Sequence, residues 1–183
     1  MRLQPRRSGT TLVEMMVVVA IAAILLSMAA PSFHGLITSM RLRAVAELFV
    51  AHLNFARSEA IKRNARVVLC KSTDGKQCAA TGRWEQGWIV FHDANDNAQV
   101  DVDEPLLLLQ PALHASIRFS GNTNVAKYVS YTPDGGANLV SGGFQAGTFT
   151  LCTRSDVPMG ATQIFISKAG QARVAKTSLD TCP

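Results

Sequence analysis

Residues 12–30 read LVEMMVVVAIAAILLSMAA, an apolar run interrupted only by Glu14 and Ser27. As a helix this run is long enough for hydrocarbon, which takes about 20 residues, and it has no polar face to offer water. Arg2, Arg6 and Arg7 precede it, and by the positive-inside rule they hold the amino end in the cytoplasm and direct the rest across the membrane. Glu14 is the anomaly, because a carboxylate inside such a helix costs about 2.5–3.5 kcal/mol and marks function; its partner must be a cation at similar depth. A secretory signal places its small-residue cleavage site after the apolar core, whereas here the small residue, Gly9, comes before it. A cut after Gly9 leaves the apolar helix attached.

The formal charge of +5 and sequence pI near 9.3 raise the question of nucleic acid. Without the first nine residues, which carry three arginines and no acid, the charge is +2, so the body of the chain is nearly balanced. Cys70, Cys78, Cys152 and Cys182 contain no C-x-x-C spacing of a zinc or redox site, and widely spaced cysteines in even number favour disulfides and an oxidising compartment such as the bacterial periplasm. Three pairings are open. The Asp74-Gly75 turn makes Cys70–Cys78 the least costly local bridge, which leaves Cys152 with Cys182.

Arg6-Arg7-Ser8-Gly9 followed by Thr10-Thr11-Leu12-Val13-Glu14 resembles the prepilins: a short basic leader, Gly before the cut, and Glu as the fifth residue after it. The resemblance implies a leader at 1–9 removed by prepilin peptidase, N-methylation of Thr10, where Phe is the commoner residue, and neutralisation by Glu14 of a neighbouring subunit's N-terminal amine. It also implies a bend at Pro31, which removes one backbone donor from the helix. Beyond that point apolar residues recur at Leu42, Val45, Phe49, Leu53, Ala56 and Ala60, the spacing of one helix face. The pattern predicts a single helix over 10–64, membrane-spanning at about 12–30, whose second half lies on a globular domain at 65–183.

From Ala65 the period alternates, which predicts strands at 66–71, 87–92, 106–110, 117–120, 127–131, 147–153, 163–167 and 171–176. Eight short strands after one long helix indicate an α+β, pilin-like fold: a long N-terminal helix packed on a C-terminal antiparallel β domain of two sheets. Trp84, Trp88 and Phe91 are the expected core anchors. The run from Trp84 to Asn97, then Asp103-Glu104-Pro105, Tyr131-Thr132-Pro133-Asp134-Gly135-Gly136 and Ile164-Phe165-Ile166-Ser167-Lys168-Ala169-Gly170 are similar to the GspH/FimT class of minor pilins and pseudopilins.

Asp93 to Glu104 imitates a calcium loop in its alternating oxygen side chains and its Glu at the twelfth place, but Ala98 stands where a sharp turn needs Gly and a strand precedes it; a solvated loop without metal is the expectation. His34, His52, His92 and His114 are scattered, no nucleophile elbow or phosphate loop occurs, and neither an enzyme nor a cofactor is expected. His52, on a helix face, reads as a packed or capped core histidine.

The resemblance implies partners in the inner membrane, prepilin peptidase and other pilins or pseudopilins. It implies either a minor pilin of a type IV pilus or a pseudopilin of a type II secretion system; a membrane-anchored periplasmic binding module that never polymerises is the contrasting class. Members that bind DNA share a C-terminal Gly-Arg-x-Arg, matched here by Gly170-Gln171-Ala172-Arg173 without the first arginine. Arg154, Lys168, Arg173 and Lys176 are the candidate phosphate contacts.

Overall fold

The computed structural model describes Gly9, residues 11–153 and residues 159–183, with the side chains of 26–35 and 159 outside that description. One helix, α1 (Leu12–Arg63), is followed by β1 (Arg66–Lys71), β2 (Trp88–Asp93), β3 (Leu106–Gln110), β4 (Ile117–Gly121), β5 (Tyr128–Tyr131), β6 (Gly147–Thr153), β7 (Met159–Ile166) and β8 (Ala172–Leu179). Short 3₁₀ turns lie at Trp84–Gln86 and Thr123–Val125. The contacts divide the chain into two compact units, Met1–Ser39 and Met40–Pro183.

In the first unit the large apolar side chains described are exposed, from Leu12 at 77% to Leu25 at 62%. Among the described residues no helix is long and apolar enough to cross a membrane; the described side chains of the 12–30 run stop at Leu25. α1 includes Pro31, whose side chain lies outside the described residues.

In the second unit α1 buries Leu42, Ala46, Phe49, Leu53, Ala56 and Ala60 in alternating steps of four and three. Val45, expected in this stripe, is only partly buried, and Ala46 beside it reaches the core. Small residues at 46, 56 and 60 let the helix backbone approach its neighbours. The helix stops where Asn64 turns left-handed (φ 50°), and the amides of Asn64 and Ala65 bond back to the carbonyls of Ile61 and Ala60. That pair of bonds satisfies two of the last four carbonyls of the helix.

Two four-stranded antiparallel sheets follow, in the orders β3-β2-β1-β5 and β4-β6-β7-β8. Strand alternation sends Val67 and Leu69 of β1, Val90 of β2, Phe119 of β4, Phe149 and Leu151 of β6 and Ile164 of β7 into one core with the helix. Phe49 is its centre. Its ring meets Phe119 and Phe149 at 4.8 Å, Trp88 at 5.1 Å and Trp84 at 5.4 Å, all edge to face, the favoured arrangement of aromatic quadrupoles. Trp84 and Trp88 are therefore the anchors the sequence suggests. Phe91 is equally buried but on the opposite face of its sheet, with Val68, Cys70, Ile89 and Ala98.

β7 begins at Met159, four residues before the sequence pattern suggests, and β8 runs on to Leu179. Residues 159–162, Met-Gly-Ala-Thr, have no strand signal of their own and are held by pairing with β8, from Met159 opposite Leu179 to Thr162 opposite Lys176. Disulfides join Cys70 to Cys78 (Cα–Cα 5.6 Å) and Cys152 to Cys182 (5.9 Å).

Candidate functional site

Two regions carry the residues singled out by the sequence, and each lies within one unit. At the amino end Gly9 is exposed, and Thr10 lies outside the described residues. The Glu14 amide bonds to the Thr11 hydroxyl at 3.3 Å, so Thr11 caps the helix and Glu14 occupies the third helical position, where a carboxylate also suits the positive end of the helix. The Glu14 side chain is exposed and forms no ion pair among the described residues. Around it Leu12, Met15, Met16 and Val19 leave an apolar surface.

The candidate phosphate contacts do not form one patch. β8 is an edge strand, and its residues alternate between faces: Arg173, opposite Phe165, points away from the core, whereas Lys176, opposite Thr162, shares the face of Ile164 and Ala172. Lys168 lies in the turn after β7, its ammonium over the exposed Phe144 ring at 5.4 Å. Arg154 lies outside the described residues.

In the 93–104 loop the carboxylates of Asp93 and Glu104 turn onto the loop's own backbone, while Asp96 pairs with Arg66 and Asp101 accepts the side-chain amides of Asn95 and Asn97. Asp93, 1% exposed, accepts the amides of Asn97 (3.0 Å) and Ala98 (2.9 Å), and Glu104 accepts those of Ala94 (2.7 Å) and Asp101 (3.1 Å). Asp96 and Ala98 adopt φ of 61° and 54°, so Ala98 takes the left-handed conformation in which Gly is usual. Burial, partly offset by the two amides, pushes the Asp93 carboxyl above the usual carboxylate range. Among the described residues no cluster of His, Cys, Asp and Glu is arranged to hold a metal ion.

His52 accepts a hydrogen bond from the Trp88 indole N–H at its Nδ1 (3.0 Å), and burial lowers its pKa below the ordinary 6.5. Protonation of Nδ1 would remove that acceptor. The folded state therefore resists a proton that the unfolded chain takes up once the pH falls below about 6.5, so stability is level above that pH and declines below it until the folded-state pKa is reached. Urea unfolding between pH 7.5 and 5 is expected to show this decline, reduced in His52→Gln, whose amide oxygen still accepts the indole N–H. An equal decline in both proteins would assign it to other groups.

Lys71 was not legible as a special residue in the sequence. It is 4% exposed, donates to the Gly82 carbonyl at 2.7 Å, and its pKa is lowered by burial and by Lys127. The one available signal was parity, since Lys71 follows Val67 and Leu69 at strand spacing on the core-facing side of β1.

The family described as Type II transport protein GspH matches residues 45–173, and the Prokaryotic N-terminal methylation motif matches residues 4–30. No curated protein sequence matches the chain significantly. Among solved structures, the Pseudomonas aeruginosa type IV minor pilin FimU is similar in two crystal forms. In one the identity is 20%, with 78% of this chain and 100% of that chain covered and a TM-score of 0.56; in the other it is 20%, with 78% and 95% covered and a TM-score of 0.54. The minor pseudopilin EpsH of the Vibrio cholerae Type 2 Secretion System follows at 11% identity, 74% and 96% coverage and a TM-score of 0.49. At these identities the FimU likeness is one of fold. The family match spans more than half of the sequence and is joined by the methylation motif ahead of it, and on that ground the chain belongs to the GspH family of minor pilins and pseudopilins.

Proposed function

We propose that this chain is a minor pilin of a type IV pilus, anchored in the inner membrane by α1 with its β domain in the periplasm, and drawn into the filament near its tip as assembly begins. Prepilin peptidase removes residues 1–9 and methylates Thr10. The observation that carries the reading is Glu14, an acid in an apolar helix, five residues after Gly9, with no cation paired to it among the described residues. Such a charge calls for a partner from another subunit. The Cys70–Cys78 and Cys152–Cys182 bridges agree with an oxidising compartment.

Mass spectrometry of sheared surface filaments tests this. The mature chain, beginning at N-methylated Thr10, is expected there in small amounts relative to the major subunit, and Gly9→Val is expected to leave the leader uncut. A mature chain starting at Thr10 in that variant would argue against the processing step. A second reading, a pseudopilin of a type II secretion system, is favoured by the description of the matching family. It predicts that loss of the chain blocks export of folded proteins while surface pili persist.

DNA contact is the narrowest part of the proposal and rests on Arg173, exposed on the outer face of an edge strand. In a mobility-shift assay, binding is expected to be weak, to fall with salt and to fall further in Arg173→Ala. Absence of a shift at low salt leaves a subunit concerned with filament assembly alone.

A further inference from the structure

The outer face of the β4-β6-β7-β8 sheet holds an open groove of about 670 Å³ in the unit that contains the β domain. Its floor follows from strand register. Ser120, Thr150 and Gln163 stand directly opposite one another on β4, β6 and β7, and Thr148 and Phe165 form the next row. With neighbouring strands about 4.8 Å apart, the Ser120-to-Gln163 row spans about 10 Å. The side-chain hydroxyls and amide of these residues are half-buried and hydrogen-bond to no other described residue, while Phe165 is 40% exposed. One wall is the segment before the Trp84–Gln86 turn, where the exposed Arg83 guanidinium is likewise unpaired among the described residues; Lys71, whose ammonium donates to the Gly82 carbonyl, also lines the groove. No Asp or Glu lines the groove.

We propose that this groove binds a short stretch of acidic polysaccharide, a uronic-acid chain, with the sugar hydroxyls on Ser120, Thr150 and Gln163, a pyranose face against Phe165, and a carboxylate at Arg83. The pairing of chemistries selects the ligand. Hydroxyl and amide side chains both donate and accept, as sugar hydroxyls do, whereas phosphate oxygens only accept. A single-stranded nucleic acid calls for a track of cations and a succession of aromatic rings, and this floor supplies one ring. A neutral sugar makes no use of the two cationic side chains, Arg83 and Lys71, that line the groove. Burial and Lys127 disfavour the Lys71 ammonium, and an anion at the wall relieves that strain. The size suits a few sugar units, in the range of small-ligand sites.

Isothermal titration of the full-length chain in non-ionic detergent with octagalacturonate, maltooctaose and an oligothymidylate tests the assignment. Octagalacturonate is expected to bind, more weakly at high salt, with at least a tenfold loss in Arg83→Ala and a threefold to tenfold loss in Gln163→Ala. Lys176→Ala, on the opposite face, is expected to leave the affinity unchanged, and maltooctaose is expected to bind at least tenfold more weakly. All of these substitutions are at exposed or half-buried positions, so folding is retained. Absence of binding to octagalacturonate at low salt overturns the proposal. So does binding indifferent to both Arg83→Ala and Gln163→Ala, or an oligothymidylate that binds as tightly with the same dependence on those two residues.

Discussion

Glu14→Gln is expected to deplete the chain from sheared filaments at least a hundredfold while its expression, leader removal and helix start remain intact. Glutamine keeps the side-chain length and serves as well as glutamate at the third helical position after a capping Thr, so the Thr11 bond to the Glu14 amide is preserved. What the substitution removes is charge. In the filament proposed here that charge faces the N-terminal amine of a neighbour at hydrocarbon depth, and stripping one partner from such a pair costs about 3–5 kcal/mol because the other is left uncompensated. At about 1.4 kcal/mol per decade this exceeds a hundredfold in occupancy. A wild-type amount of the Glu14→Gln chain in filaments would leave Glu14 with a capping role only, and would show that entry into the filament does not depend on its charge.

Phe49→Ala is expected to destabilise the β-domain unit by about 3–5 kcal/mol, the usual cost of emptying an aromatic site in a core that cannot collapse. The reason is geometric. Phe49 is fully buried and touches rings from the 3₁₀ turn, β2, β4 and β6, so four separately placed elements share the resulting void. For a unit of this size the thermal midpoint should fall by roughly 10 °C. Leu48, the preceding residue, is 37% exposed and serves as the comparison, with an expected loss of about 1 kcal/mol from Leu48→Ala. Near-UV circular dichroism on heating reads both, because the affected rings are the chromophores. Equal losses would deny Phe49 its central place.

The long helix and the positions of all eight strands were legible because each has a local pattern: three-and-four spacing on α1, alternation or β-branched runs on the strands. The local pattern stops short of the start of β7 because residues 159–162 are strand by virtue of their pairing with β8, joined at Thr162 by pairing with β6. The distribution of the bulky anchors followed a rule that local pattern does not display. Trp88 and Phe91 are three apart in a strand, so they face opposite ways, and Phe91 joins a second core. The same parity separates Arg173 from Lys176, although a motif read by spacing places them together. The groove was invisible for a different reason. Ser120, Thr150 and Gln163 become neighbours only through the registers of β4 with β6 and of β6 with β7, and in sequence each looks like an ordinary solvent-facing position.

The two disulfides also fix how this domain answers a mechanical load. A subunit in a filament is pulled, and a chain pulled from its ends lengthens only by the residues that force can straighten. The Cys70–Cys78 bridge short-circuits a span of 8 residues and the Cys152–Cys182 bridge a span of 30, the latter holding β7 and β8. Together they withhold about 130 Å of contour length from extension, at about 3.4 Å per residue. The β7–β8 hairpin can peel from β6 under tension, but while the bridge holds it cannot be drawn out into the line of force.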